Sequence, residues 1–251
     1  MNRLRLHIIA CKVFLREFCY YASKSDNIID FTWLPYELHI SPDKLRSMVN
    51  DKVAEVEKYI EDGILKKPDA IVLGYGLCSN GIVGVSAKSI PIIVPRTDDC
   101  MGVFLGSQEK YMKIFNEYNG TYWLNNGWIE MGSGAHIKQE NEAKRQSYIE
   151  LYGEENADFL LEQDNLWMSN YNYSGFITSD IYHNEEYVEL AKTVAKENNW
   201  QYFEVEGDSS YVKKIMAGDW DEKEFLVCPP GYVIQASYDE DKIKASRNTL
   251  G

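Results

Sequence analysis

Three cysteines stand where strand-like runs of the sequence end. Cys78 lies in a glycine-rich loop that follows a short apolar run, Ala70 to Leu73, which has the length of a buried parallel strand. Cys11 and Cys100 follow two other strand-like runs at the corresponding place. Because the carboxyl ends of parallel strands lie at one edge of a sheet, we expect the three thiols to meet there.

Three converging thiolates could bind a zinc ion, or an iron–sulfur cluster with one iron left open. His39 or Asp99 could supply a fourth ligand, although His39 could equally be a loop histidine that bonds to the backbone. The spacing matches no paired Cys-x-x-Cys pattern, and free cysteine often only fills buried space. The first hypothesis is a metal site, and the alternative is that the cysteines only pack in the core. The predicted metal ligands are Cys11, Cys78, Cys100 and His39.

The residues around these cysteines could bind a small ligand. Backbone N–H groups of the glycine-rich loop could face an anion, and Arg96 could hold a carboxylate or phosphate or pair with the acidic residues beside it. Asp98 and Asp99 could bind a metal or act as a base; equally, one of them caps the next helix, and we favour Asp98 for that role. The predicted ligand-binding residues are Tyr75, Gly76, Ser79, Asn80, Gly81, Arg96, Asp98 and Asp99.

Other chemistry is disfavoured. The glycine-rich loop lacks the lysine and the spacing of a nucleotide-binding P-loop, and it contains no Rossmann Gly-x-Gly-x-x-Gly pattern. Aromatic side chains after a later strand could form the wall of a flat ligand site, but such residues more often belong to a core; they are Tyr122, Trp123 and Trp128. Three further histidines are interpreted as structural: His7, His136 and His183.

Strand-like runs alternate with amphipathic helical segments along the chain. This alternation predicts an α/β fold with a parallel sheet flanked by helices on both faces. One form of this prediction divides the chain into two similar Rossmann-like lobes. A charged, helical stretch near residues 137–167 separates the two halves. We therefore expect an N-terminal α/β lobe with the cysteine loops at residues 1–134, and a C-terminal helical segment with a smaller α/β lobe at 135–251. The polar tail after Tyr238 is expected to fray.

The composition restricts the partners. The chain has 251 residues and a formal net charge of -13, which disfavours nucleic acid and anionic membranes because both attract basic proteins. No apolar run approaches the roughly 18–20 residues of a membrane span, and the N-terminal apolar stretch is too short for a signal peptide. Five dispersed cysteines fit a reducing compartment, so we expect a cytoplasmic protein whose cysteines serve metal binding or catalysis.

Several segments together resemble one protein family, the domain-of-unknown-function family 1638 (DUF1638). The motifs that carry the resemblance are Leu73–Gly81, Pro95–Cys100, Leu105–Tyr111 and Gly120–Glu130, with Ala10–Cys11 and Leu34–His39 also fitting. The similarity is specific from the first strand to about Glu130 and continues weakly to Pro229–Gly231. Cys19 and Cys228 do not match the family pattern. In many members of the family that the chain resembles, the position of Asp98 looks like a histidine.

The resemblance implies a link to corrinoid-dependent, one-carbon metabolism in anaerobes, because members of this family often occur with corrinoid-dependent methyltransferase systems. It implies a small-molecule or cobamide ligand and, as partner, a corrinoid protein or a methyltransferase. The expected function is therefore a metal-binding protein of methyl transfer. Two alternatives stay open: a non-catalytic accessory or carrier subunit, and a cofactor-free thiol enzyme that uses Cys78 or Cys100 as nucleophile.

Overall fold

A computed structural model describes residues 3–132 and 137–247 of the chain. The strands in the described residues are β1 (Arg5–Cys11), β2 (Ile28–Leu34), β3 (Ala70–Gly74), β4 (Ile92–Pro95), β5 (Thr121–Asn125), β6 (Tyr173–Thr178), β7 (Gln201–Glu206), β8 (Phe225–Cys228), β9 (Tyr232–Ala236) and β10 (Ile243–Arg247).

The α-helices in the same residues are α1 (Leu15–Ala22), α2 (Pro42–Glu61), α3 (Cys100–Phe104), α4 (Gln108–Glu117), α5 (Asn126–Glu130), α6 (Ile137–Tyr152), α7 (Glu154–Asp164), α8 (Glu185–Glu197) and α9 (Ser210–Ala217). Single 3₁₀ turns occur at Lys12–Phe14, Tyr36–Ile40 and Leu166–Asn170. The alternation of strands and helices confirms the predicted α/β class.

The largest sheet has the order β2-β1-β3-β4-β8. Its first four strands are parallel, and β8 pairs antiparallel with β4. In the register of β1 and β3, Ala10 lies opposite Gly74, so these two strands end side by side. Since residues 75–78 and 96–100 directly follow β3 and β4, the loops with the predicted site residues start from one edge of this sheet.

The described chain forms two compact units, one made of residues 3–111 and 207–247 and the other of residues 112–132 and 137–206. This division differs from the expected one at residues 134 and 135, which themselves lie outside the described residues. The physical reason is the last sheet strand, β8, which pairs with β4 and thereby returns the C-terminal segment to the first unit.

Helix α2 supports the sheet with a regular apolar stripe. Ser41 and Pro42 start the helix, as Ser-Pro predicts, although the Ser41 side chain makes no capping hydrogen bond. The stripe of fully or almost fully buried side chains consists of Leu45, Val49, Val53 and Val56, spaced for one helix face.

In the second unit, the parallel sheet β5-β6-β7 packs on a core that includes Leu124, Phe176, Val188 and Val194. The aromatic residues after residue 120 belong to this packing: Tyr122 contacts the rings of Trp167, Tyr171 and Trp200, Trp123 contacts Phe203, and Trp128 is buried. These contacts favour the core interpretation over a ligand wall.

The C-terminal segment folds back as an antiparallel hairpin of β9 and β10. The hairpin differs from the frayed tail expected after Tyr238, because residues 243–247 pair with 232–236 and Ile243 is buried. In the described part of the chain, no helix is long and apolar enough to cross a membrane.

Candidate functional site

The loops after β3 and β4 are joined by backbone hydrogen bonds. The N–H of Leu77 donates to the carbonyl oxygen of Thr97 at 2.8 Å, and the N–H of Cys78 donates to that of Asp98 at 2.9 Å. These bonds place Cys78 next to the start of α3, whose first residue is Cys100.

Glycine at position 76 permits this close approach. A Cβ atom there would lie 2.6–2.7 Å from the backbone atoms of Asp99, closer than real Cβ contacts come. The predicted ligand-binding role of Gly76 therefore has a packing explanation, as does that of Gly81, where a Cβ atom would lie 2.6 Å from Leu45 Cδ2.

The three cysteines of the predicted site influence one another electrostatically. A hydrogen bond between the thiols of Cys100 and Cys78 is the main cause of a strongly raised pKa of Cys100, followed by burial and by electrostatic effects of Cys78 and Cys11. Burial, with a smaller contribution from Cys78, raises the pKa of Cys11 to about 12. Cys11 and Cys78 are buried and Cys100 is partly buried. The metal-ligand role predicted for Cys11, Cys78, Cys100 and His39 stays a prediction.

These side chains do not form a finished metal site. Among the residues that the structure describes, no group of three or more His, Cys, Asp or Glu side chains is arranged to hold a metal ion. Cys11, Cys78 and Cys100 are neighbours rather than a preformed ligand set.

The backbone of Cys78, Ser79 and Asn80 is left-handed at three consecutive residues, with φ of 46°, 54° and 65°. Non-glycine residues in this region cost roughly 1–2 kcal/mol each, and such outliers concentrate at functional sites. On α2, Arg46 holds this loop by donating to the carbonyl oxygens of Asn80 and Val83. The Cys78 thiol therefore stands on a strained loop that α2 fixes in place.

The backbone amides of this loop are not all available to an anion. The N–H of Gly81 donates to the carbonyl oxygen of Cys78 at 2.9 Å, and that of Cys78 is already bonded to Asp98. Ser79 and Asn80 are exposed. The predicted anion cradle at Ser79, Asn80 and Gly81 loses one of its three donors to the turn itself.

Asp99, not Asp98, caps α3. The Asp99 carboxylate accepts from the N–H of Met101 at 2.8 Å and from the hydroxyl of Tyr111 at 3.0 Å. Burial raises the pKa of Asp99, and these two donors oppose the rise. The prediction of Asp98 as cap was wrong because the chain enters the helix one residue later than expected.

Asp98 is instead tied to two distant side chains. Its carboxylate lies 3.1 Å from Lys242 Nζ, and Gln108 Nε2 donates to it at 2.6 Å. Gln108 also accepts from the Asp98 N–H at 3.0 Å. These contacts give Asp98 a structural role, and the ligand role predicted for it stays a prediction.

Arg96 points to the backbone of the C-terminal segment. Its guanidinium donates to the carbonyl oxygens of Glu222, Asp241 and Ile243. This arrangement matches neither predicted alternative, the anion clamp or the pairing with Asp98 or Asp99. The guanidinium is engaged by main-chain acceptors that the sequence alone does not reveal.

His39 lies exposed in the 3₁₀ turn Tyr36–Ile40, and its Nδ1 is hydrogen-bonded to the carbonyl oxygen of Tyr36. This contact corresponds to the predicted alternative in which His39 is a loop histidine that bonds to the backbone. Of the histidines interpreted as structural, His7 is buried and bonded to Thr32, His183 is exposed and paired with Glu185, and His136 lies outside the described residues.

Tyr75 completes the set of buried groups near the thiols. The side chain is 2% exposed, and its hydroxyl is buried without a hydrogen-bond partner. Burial raises its pKa strongly, and Cys11, Cys78 and Cys100 add to the rise, so the phenol lies within electrostatic reach of all three thiols. An unpartnered buried hydroxyl costs about 1–3 kcal/mol.

Sequence reasoning missed Gln108 and Tyr111, which hold Asp98 and Asp99 from α4. The two residues are three positions apart and so share a helix face. That spacing, within the Leu105–Tyr111 motif, was the available signal; which face lies over the loop required the fold.

These elements and side chains define an α/β protein with a cysteine-lined edge on its largest parallel-rich sheet. The chain matches, over residues 33–216, the model of a family described as "Protein of unknown function (DUF1638)". Since the match spans well over half of the chain, the protein belongs to the DUF1638 family, which confirms the resemblance. The match includes Cys78 and Cys100. No curated protein and no solved structure matches the chain.

Proposed function

We propose that the cysteine-lined sheet edge binds a thiophilic metal centre, either a zinc ion or an iron–sulfur cluster, through Cys11, Cys78 and Cys100. The proposal is supported by the hydrogen bond between the thiols of Cys78 and Cys100, and by Cys11, which also raises the pKa of Cys100. Thiolate is the preferred ligand of zinc and of iron–sulfur clusters.

No metal-binding group is preformed among the described residues, so binding has to rearrange the three thiols. A bound cation also offsets the burial that keeps these thiols protonated, because metal binding releases the thiol protons. With three protein ligands, the centre keeps one coordination position for an exogenous ligand, as catalytic metal sites do.

The proposed biological role is in corrinoid-dependent methyl transfer, either as a metal-dependent enzyme or as an accessory subunit. This part of the proposal is supported by the family resemblance alone. A methyltransferase or corrinoid protein is the proposed partner. Native pulldown set beside turnover assays distinguishes the two forms: a stable partner without turnover favours the accessory role.

The decisive experiment is the metal content and absorption spectrum of protein purified without oxygen. We expect about one zinc per chain, or about four iron with sulfide and a broad band near 400 nm. Cys78→Ser should lose the metal, whereas Cys19→Ser, a change at an exposed cysteine outside the site, should keep it. Sub-stoichiometric metal in the wild type, unchanged in Cys78→Ser, contradicts the proposal.

The same preparation tests the cofactor-free thiol enzyme. Burial raises the pKa of Cys11, and contact with Cys78 raises that of Cys100, so neither is a ready thiolate near neutral pH. Rapid alkylation of a single site cysteine in metal-free protein would favour the thiol enzyme over the metal site.

A further inference from the structure

The chain segments after β3 and β4 run side by side as far as Cys78. Consecutive N–H groups of one segment donate to consecutive carbonyl oxygens of the other, from Leu77 to Thr97 at 2.8 Å and from Cys78 to Asp98 at 2.9 Å. Cys100 follows two residues after Asp98, as the first residue of α3. The main chain therefore brings Cys78 and Cys100 together from two different loops.

The side chains of these two cysteines are in contact. A hydrogen bond joins their thiols, whereas Cys11 acts on Cys100 electrostatically. Because the bond raises the pKa of Cys100, it stabilises the protonated form, so Cys100 is the donor and the sulfur of Cys78 accepts. Both thiols are free in the structure. Two free thiols in contact are the reactants of a disulfide.

The pair lies at the protein surface, on a loop that can adjust. Cys100 is partly exposed, and Ser79 and Asn80, which follow Cys78, are exposed. The left-handed backbone of residues 78–80 costs roughly 1–2 kcal/mol per residue. Leaving that conformation releases strain, so the loop can follow the Cys78 sulfur when it moves toward Cys100.

We propose that Cys78 and Cys100 form a reversible disulfide by exchange with a small-molecule disulfide. This inference goes beyond the proposed metal site, because the exchange takes place in metal-free protein. The oxidised form would also lack two of the three proposed metal ligands, so the redox state of the pair would control metal binding.

The exchange balances in two steps. The Cys78 thiol loses its proton and attacks the small disulfide RSSR; a mixed disulfide forms at Cys78, the bond within RSSR breaks, and one RS⁻ leaves and takes up a proton. Cys100 then loses its proton and attacks the Cys78 sulfur, which closes the bond within the protein and releases the second RSH. Two electrons pass from the cysteines to RSSR, and excess RSH reverses the reaction.

The test equilibrates metal-free protein with oxidised and reduced glutathione in fixed ratios, without oxygen, and then blocks free thiols with N-ethylmaleimide. Trypsin cuts after Lys88 and Arg96, so Cys78 and Cys100 lie in different peptides and mass spectrometry detects their cross-link. We expect this cross-link to exceed glutathione adducts at the two cysteines at least roughly tenfold, because the second thiol lies beside the first. Excess reduced glutathione should remove it.

Two variants and the wild type decide the outcome. Cys19→Ser, at an exposed cysteine outside the pair, should keep the cross-link, whereas Cys100→Ser should accumulate glutathione at Cys78, the product of the first step. A wild type whose two thiols stay free, carry only glutathione or bond to Cys11 overturns the inference and leaves the metal proposal standing. A wild type that forms the cross-link but binds no metal supports the inference and contradicts the metal proposal.

Discussion

Asp99 is held by donors from two directions, the N–H of Met101 in its own helix and the hydroxyl of Tyr111 from α4. Hydrogen bonds to a buried carboxylate are worth more than those between neutral groups, since the charge would otherwise be desolvated without compensation. Asp99 thus links the start of α3, and with it Cys100, to the neighbouring helix.

Tyr111→Phe should lower the free energy of unfolding by about 1–3 kcal/mol, because it leaves the Asp99 carboxylate one donor short. Urea unfolding measures this change. Tyr59→Phe, at an exposed tyrosine bonded to Glu55, should change stability by less than about 1 kcal/mol. If both substitutions lower the free energy of unfolding equally, the hydrogen bond to Asp99 contributes no more to stability than that of an exposed tyrosine.

His7 makes stability depend on pH. Burial lowers its pKa below 6.5, and the opposing effects of Asp30 and Glu55 are smaller. The unfolded side chain therefore binds a proton at higher pH than the folded one, so stability decreases as pH falls through 6.5 toward the folded pKa. Each unit of pKa difference corresponds to about 1.4 kcal/mol.

His7→Gln should flatten the dependence of the unfolding free energy on pH between 7 and 5, measured by urea unfolding at several pH values. His183→Gln, at an exposed histidine, is the matched control and should leave the wild-type slope caused by His7 in place. A His7→Gln protein with the full wild-type slope would assign the effect to other groups.

At the level of elements, the loop at Cys78–Asn80 has a strained backbone, with three consecutive residues in the left-handed region. Ser79 is exposed and left-handed at φ 54°. Glycine would adopt this conformation without steric cost, offset in part by the larger entropy that glycine loses on folding.

Ser79→Gly should therefore raise the free energy of unfolding by roughly 0.5–1 kcal/mol, whereas Ser79→Ala should give no such gain because alanine keeps the Cβ clash. Thermal or urea unfolding of both variants measures the difference. If alanine stabilises as much as glycine, the backbone at position 79 is not strained.

Strands and helices could be predicted from the sequence where the local hydrophobic or capping pattern was strong. An apolar run predicts a strand from Ala70 to Leu73, and the structure has β3 at Ala70–Gly74. A Ser-Pro start predicts the helix that begins at Pro42. The placement of Cys11, Cys78 and Cys100 at or after the carboxyl ends of parallel strands also followed from local pattern. The hairpin of β9 and β10 was not predicted, because the sequence after Tyr238 is polar and does not indicate which residues pair with it.

The hydrogen-bond acceptors of Arg96 could not be predicted from the local sequence pattern either. They are main-chain carbonyl oxygens more than 120 positions away in sequence. Every residue type offers a carbonyl, so no residue identity marks such an acceptor. The position of the cap at Asp99 rather than Asp98 likewise depended on a one-residue shift of the helix start, the least predictable feature of a helix.

At the scale of the whole molecule, Arg96 ties the C-terminal segment to the sheet that carries the cysteines. Arg96→Ala should remove these bonds, each of them a charged donor on a backbone acceptor, and lower stability by about 2–3 kcal/mol. It should also accelerate tryptic cleavage at Lys242 and Lys244 under native conditions, measured by mass spectrometry.

Lys88→Ala, at an exposed lysine elsewhere in the same unit, is the control and should leave that cleavage rate unchanged. Unaltered proteolysis in Arg96→Ala would mean that pairing of β9 and β10 holds the segment without the arginine.

The antiparallel strand β8 has a consequence for synthesis on the ribosome. The edge of β4 gains its neighbour only when residues 225–228 have emerged from the exit tunnel, long after β1 and β3 have been made. Residues 112–206 leave the tunnel in one stretch and can fold during that interval. Slowing translation within the last part of the message would therefore prolong the time for which an unpaired strand edge is open to aggregation or chaperone binding.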